Sequence, residues 1–158
     1  MQEITVVLPN IRSAHNVGSI FRTADAAGVS RIFLTGHSPR PIDRFGRPDK
    51  TLSKTALGAE QHMPWEYIRE PKTLITRLKK EGWRIVGVEQ DARSHDYRQK
   101  IVGGKVAFVF GNEVRGLSPA LRTMCDELIE IPMQGTKESL NVSVAAGIVL
   151  FSHQRVSR

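Results

Sequence analysis

Short apolar runs that end at turn residues alternate with helix-patterned stretches along this chain, and that alternation leaves few folds open. Ile4-Thr-Val-Val-Leu8 shows no polar–apolar alternation, the mark of a strand buried on both faces. Arg31 to Thr35, Arg84 to Val88, Lys105 to Phe110 and Leu128 to Ile131 read as further strands, and Met63 to Ile68 as another extended piece. Between them, Val17, Ile20, Phe21, Ala24 and Ala27 recur at helical spacing over His15 to Ala27, with Gly28 as the stop. Lys50 to Glu60 and Ser118 to Met124 read as short helices. Pro71 to Glu81 is a longer one, with proline in its first turn and Gly82 just beyond it. A closing helix runs from about Leu140 to Arg155. The pattern predicts an α/β fold: a mainly parallel sheet covered by helices on both faces. At 158 residues, 1–158 is expected to be one domain with its own hydrophobic core. Ligands in such folds bind where strands end, at the carboxyl edge.

Charge and residue usage narrow the function classes. The net charge of +7 favours polyanionic partners. Arg40, Arg44, Arg47, Lys50 and Lys54 crowd one Pro/Gly-bearing stretch with Phe45 among them; Arg93, Arg98, Lys100 and Lys105 surround another with Tyr97. Mobile basic loops carrying an aromatic suit a phosphate backbone with an unstacked base. A single cysteine, Cys125, excludes an intrachain disulfide framework. The five histidines show no ligand spacing, so no metal is expected. No leader pattern opens the sequence, and the longest apolar run, Val144 to Phe151, is too short to span a membrane. A cytoplasmic protein without membrane contact is the expectation.

Three loops at strand ends are unusual. Asn10 to Arg22 leads into the first helix, where His15, Ser19 and Arg22 form one polar stripe. Gly18 inside that helix costs about 1 kcal/mol relative to alanine, so something approaches it closely, a ligand or the neighbouring strand. The second loop, Phe108-Val-Phe-Gly-Asn-Glu-Val-Arg-Gly-Leu-Ser118, is a near miss to a phosphate loop. Leu117 stands where the lysine belongs and Glu113 adds a carboxylate, so a nucleoside triphosphate site is not expected; the glycines would let backbone approach a ligand. The third, Ile131-Pro-Met-Gln-Gly-Thr-Lys-Glu-Ser-Leu-Asn-Val-Ser143, joins a strand to a helix opening at Ser139 or Asn141, a setting for a small polar cofactor.

Taken together, Asn16-x-Gly18-x-x-x-Arg22, Phe110-Gly-Asn-Glu-x-x-Gly116 and Ile131-Pro-Met followed by Ser139-Leu-Asn-Val-Ser143 resemble the three ordered motifs of the SpoU–TrmH branch of the SPOUT RNA methyltransferases. The resemblance spans Pro9 to Phe151. It implies S-adenosylmethionine-dependent methylation of a ribose 2′-hydroxyl in RNA, with tRNA favoured. Methylation of rRNA and a noncatalytic RNA-binding module on the same fold are the alternatives. It also implies a C-terminal deep trefoil knot, whose loop path Pro132 and Gly135 would help set, and a homodimer. On this reading Arg22, Asn16, Glu113, Ser139 and Asn141 form the catalytic set. Val88, Glu89, Gly111, Ile131, Met133, Ser139 and Leu140 would hold the cofactor. Arg12, Arg40, Arg44, Arg47 and Arg115 would meet the RNA. Either Arg22 or Glu113 would handle the proton. With no appended RNA-binding domain expected, recognition would rest on this one domain. The closing helix, apolar over most of its circumference, fits either a dimer interface or burial within one domain.

Overall fold

In the computed structural model, which describes residues 2–154, the chain runs β1 (Glu3–Pro9), α1 (Ala14–Ala27), β2 (Arg31–Thr35), α2 (Lys50–Ala56), α3 (Ala59–His62), β3 (Trp65–Ile68) and α4 (Pro71–Lys80). It continues through β4 (Arg84–Val88), β5 (His95–Asp96), β6 (Lys105–Phe110), α5 (Pro119–Met124), β7 (Glu127–Glu130) and α6 (Val142–His153). The strands form one seven-stranded sheet in the order β3-β2-β1-β6-β4-β7-β5, and each paired neighbour is parallel.

The strand sequences explain why both faces are covered. Successive side chains point to opposite faces, so an unbroken apolar strand must feed two cores. Val6, Leu8, Ile32, Phe108 and Phe110 pack on one face with Val17, Ile20 and Phe21 of α1, Leu52 of α2 and Val149 of α6. Val7, Phe33, Ile85, Ala107 and Val109 pack on the other with Leu74, Ile75 and Leu78 of α4 and Leu121 of α5.

Several boundaries differ from the sequence expectation, each for a local reason. The helix expected over Lys50 to Glu60 is two helices, because Leu57 and Gly58 both adopt left-handed backbone and end the first. The strand expected over Met63 to Ile68 begins at Trp65, and the one expected over Leu128 to Ile131 is Glu127–Glu130. Ser13, Ser118 and Asn141 lie outside their helices as caps, accepting from the N–H groups of Asn16, Leu121 and Ser143. The closing helix ends at His153; Arg155 lies outside the described residues. The two-residue β5 was not foreseen. It sits at the sheet edge, paired to β7 by His95↔Ile129 and Asp96↔Glu130.

Gly18 marks close packing of helices, not of a helix and a strand. A Cβ there would lie 2.1 Å from Thr55 Oγ1 and 2.2 Å from the Leu52 carbonyl oxygen, both on α2. α6 buries Val142, Ala146, Val149 and Leu150, and His153 anchors its end by stacking on Phe108, ring centroids 5.3 Å apart. No helix among the described residues is long and apolar enough to cross a membrane.

Candidate active site

β1, β6, β4 and β7 are consecutive in the sheet, so the loops leaving their carboxyl ends are neighbours although they lie far apart in sequence. Those loops and the start of α6 enclose a hollow of about 330 Å³, within the size range of small-molecule sites. Val88, Phe110, Ile131, Met133, Leu140 and Val142 supply its apolar surface, while Glu89, Gln90, Asn112, Glu113, Ser139 and Asn141 supply polar groups.

One chain of side-chain hydrogen bonds joins the three unusual loops. Asn16 donates from Nδ2 to Glu113 Oε1 (3.4 Å) and accepts at Oδ1 from Asn141 Nδ2 (3.1 Å). Glu113 also accepts from the Arg12 and Ser13 N–H groups, at 3.4 and 3.2 Å, at the entry to α1. Asn141 in turn accepts from the Ser143 N–H (2.8 Å) and hydroxyl (2.6 Å). Asn16 is buried, so its amide has to find partners inside the protein. Its pairing across 97 and 125 residues of sequence links segments that the strand order has made neighbours.

The 111–117 loop is held by its own backbone. Asn112 and Gly116 exchange both N–H···O bonds, at 3.2 and 2.9 Å, and Asn112 Oδ1 accepts from the Val114 and Arg115 N–H groups. Asn112 Nδ2 donates to the Asn10 carbonyl (2.7 Å), tying this loop to the end of β1. Gly116 has φ +67°, and a Cβ there would lie 2.1 Å from Glu89 Oε2; one on Gly111 would lie 2.5 Å from the Gly116 carbonyl carbon. These glycines therefore let the chain fold onto itself, a different reason from the ligand approach expected of them. Glu89 lines the hollow, yet its carboxylate is engaged with protein: Oε2 accepts from the Leu117 N–H (2.6 Å), Oε1 from the Gln90 N–H (3.0 Å), and Arg122 lies 3.8 Å away.

All seven residues expected to hold a cofactor line this hollow, as do Asn16, Glu113, Ser139 and Asn141. Arg22 does not. It lies exposed on α1, outside the hollow's lining, and makes no ion pair among the described residues, Asp25 included. Gln90 was missed by sequence reasoning; its Nε2 donates to the Glu138 carbonyl (2.7 Å) and holds the 131–141 loop over the hollow. Asn10 and Asn112 were missed as positioning groups as well. A polar residue just past a strand end was the only available signal.

A second, wider cleft of about 1170 Å³ opens beside the first, and Asn16, Asn112, Glu113, Val114, Arg115 and Gly116 line both. Arg12, Arg115 and Arg122 bring positive charge to it. Arg40 stacks on Tyr67 (4.0 Å), and Arg44 and Arg47 flank Phe45 on the adjoining loop. Two members of the second basic group of the sequence, Arg93 and Arg98, are neutralised in place. Arg98 bonds Asp96 at 2.6 Å and pulls its carboxyl down to about 2, and Arg93 holds Asp91 well below the usual carboxylate range. Burial pushes the Cys125 thiol up to about 11, so it is not a thiolate nucleophile at neutral pH. No group of three His, Cys, Asp or Glu side chains suited to a metal ion occurs among the described residues.

Charge inside the smaller hollow runs against the protein as a whole: its ionisable lining groups are Glu89, Glu113 and Glu130 with Arg115 alone opposing them. That surplus of acceptor carboxylates suits a compact polar ligand carrying positive charge and disfavours a polyphosphate. Fold and site together define a parallel α/β protein with a small-molecule pocket at the sheet's carboxyl edge and a basic cleft sharing its wall. More particularly, the chain belongs to the SpoU rRNA methylase family, whose model matches residues 3–151.

Among curated relatives, the 23S rRNA (guanosine-2′-O-)-methyltransferase RlmB of Vibrio parahaemolyticus is 38% identical over 152 residues, covering 96% of this chain. The chain spans 59% of that relative's length. Among solved structures, an AdoMet-bound rRNA methyltransferase from Sinorhizobium meliloti superposes with a TM-score of 0.86 at 32% identity, over 95% of this chain and 55% of that one. A TrmH/SpoU tRNA modifying enzyme from A. aeolicus gives 0.83 at 29% identity, over 98% and 75%.

Proposed function

We propose that this chain methylates a ribose 2′-hydroxyl of RNA using S-adenosylmethionine, with ribosomal RNA favoured over tRNA. The observation that carries the reading is the wall common to the two clefts, where Asn16 and Glu113 face a small-molecule pocket on one side and a basic groove on the other. The preference for ribosomal RNA replaces the tRNA expected from sequence. It draws support from the curated relative, named for 23S rRNA, at 38% identity.

Val88, Ile131, Met133 and Leu140 would cover the apolar parts of the cofactor, with Gly111 and Ser139 beside them. The surplus of carboxylates in the lining suits its sulfonium. When bound, the cofactor supplies a methyl group already activated by positive sulfur. What the protein adds is position, exclusion of water and charge at the sugar oxygen. Glu113 stands on the shared wall and can take the hydroxyl proton directly or through water, held in place by Asn16 and the N–H groups of Arg12 and Ser13. A guanidinium resists deprotonation in proteins. Arg22 would therefore clamp the phosphate beside the target ribose and stabilise the nascent alkoxide.

Because Arg22 lies outside the hollow of its own chain, this role requires a homodimer in which a second copy presents it. The exposed apolar strip of Leu140, Val144 and Phe151 on and beside α6 supports such an assembly. Family membership supports the knot in the closing segment, whose loop Gln90 ties to the exit of β4. The test is incubation of the purified protein with labelled S-adenosylmethionine and either ribosomal RNA or tRNA, followed by mass spectrometry of the digested nucleosides. A 2′-O-methylated nucleoside from ribosomal RNA is expected. A base-methylated product, or RNA binding with no transfer at all, would overturn the reading.

A further inference from the structure

The segment between β2 and α2 is a built arm. Ile42 and Pro48 form an antiparallel bridge, the Asp43 N–H donates to the Arg47 carbonyl (2.9 Å), and the Asp49 N–H donates to the Pro41 carbonyl (3.0 Å). Asp43 closes the tip: Oδ1 accepts from the Phe45 and Arg47 N–H groups at 2.8 and 3.0 Å, and Oδ2 accepts from Arg47 Nε at 3.0 Å. The mobile basic loop expected from sequence is thus a hydrogen-bonded hairpin. At its tip Phe45 is 66% exposed and belongs to neither hydrophobic core. The guanidinium carbons of Arg44 and Arg47 lie 4.8 and 4.9 Å from the ring centroid. Arg44 has no ion-pair partner among the described residues.

An aromatic ring held in water by a hydrogen-bonded turn, close to two guanidinium groups and outside both cores, turns its chemistry outward. We propose that the Pro41–Asp49 hairpin is a nucleotide-reading arm, in which Phe45 stacks an unpaired base of the RNA substrate while Arg44 and Arg47 take the phosphates on either side of it. A guanidinium leaving the ring gains a phosphate, and the base that replaces it gains a π-face. A single strand presents a phosphate on each side of every base, which matches two guanidinium groups beside one exposed ring.

The arm is also continuous with the proposed acceptor site. Its foot, at Arg40 and Asp49, lines a hollow with His37, and His37 lines the wide cleft that shares Glu113 with the cofactor pocket. Phe45 itself lies outside the lining of both clefts, so the base it reads is not the target itself. This inference rests on the RNA methyltransferase reading for its ligand class, yet binding and methyl transfer are separate measurements.

The experiment uses the full chain and a short single-stranded oligoribonucleotide carrying 2-aminopurine, beside a duplex of the same sequence. Phe45→Ala should weaken single-strand binding by about tenfold, abolish the fluorescence quenching that reports stacking and leave duplex binding unchanged. Phe45→Trp should restore both affinity and quenching. Arg44→Ala with Arg47→Ala should instead flatten the salt dependence, by roughly 0.7 in the logarithmic slope for each phosphate no longer neutralised. Unchanged single-strand affinity in Phe45→Ala would overturn the proposal, as would a change in its sedimentation in place of its RNA affinity. Phe45-dependent binding without methyl transfer would leave the arm standing and remove the enzymatic reading; methyl transfer indifferent to Phe45 would do the reverse.

Discussion

Asn16 carries more of this site than its size suggests. Among the described residues, its amide is the only link in the side-chain hydrogen-bond chain that touches both Glu113 and Asn141. Asn16→Ala removes both hydrogen bonds at once, and since Glu113 and Asn141 are exposed and can turn to water the cost is about 0.5–1.5 kcal/mol for each bond. We expect a lower urea midpoint together with weaker S-adenosylmethionine binding by calorimetry. Asn16→Asp should be worse for binding than Asn16→Ala, since it sets a second carboxylate beside Glu113, 3.4 Å from the present amide nitrogen. Equal cofactor affinity in wild type and both variants would show that the three segments meet without this residue. The residue was legible in the sequence as part of a motif. What its two amide ends touch was not, because both partners lie about a hundred residues away or more.

Between elements, the clearest constraint is the contact of α1 with α2. Glycine in a helix interior is ordinarily a loss of about 1 kcal/mol against alanine, so Gly→Ala in an exposed helix stabilises. At Gly18 the sign should reverse. The added methyl would meet the Leu52 carbonyl oxygen at 2.2 Å, and backbone cannot rotate out of the way as a side chain does. Gly18→Ala is expected to destabilise by about 1–3 kcal/mol through overpacking, read as a lower melting temperature. A raised melting temperature would show that α2 yields freely. Since α2 follows the Pro41–Asp49 hairpin directly, its seat on α1 also fixes where the arm points. Sequence showed the cost of Gly18 without its cause; the neighbour proved to be a helix from another part of the chain. The break at Leu57 and Gly58 was missed for a related reason, since the apolar pattern runs on across the kink and only the left-handed backbone interrupts it.

For the whole molecule, the open matter is assembly. α6 buries one face against α1 and the sheet, yet leaves Val144 50% and Phe151 48% exposed, too much apolar surface on one helix to be explained by the fold alone. Val144→Glu with Phe151→Glu should convert a dimer into a folded monomer that has lost methyl transfer, checked by sedimentation and circular dichroism. If a second copy supplies Arg22, then mixing inactive Arg22→Ala and Glu113→Ala chains should restore part of the activity, because one site in each mixed dimer is intact. No restoration on mixing, with mixed dimers present, would place Arg22 in service of its own chain. The alternating unbroken strands and helical stripes determined the class of fold, since burial periodicity and capping act over a few residues and can be read where they occur. The order β1-β6-β4-β7 could not be read that way, because parallel pairing joins strands from anywhere in the chain and leaves no local trace. That order decides which loops become neighbours: it gathered Asn16, Glu113 and Asn141 around one hollow and left Arg22 on the outer surface.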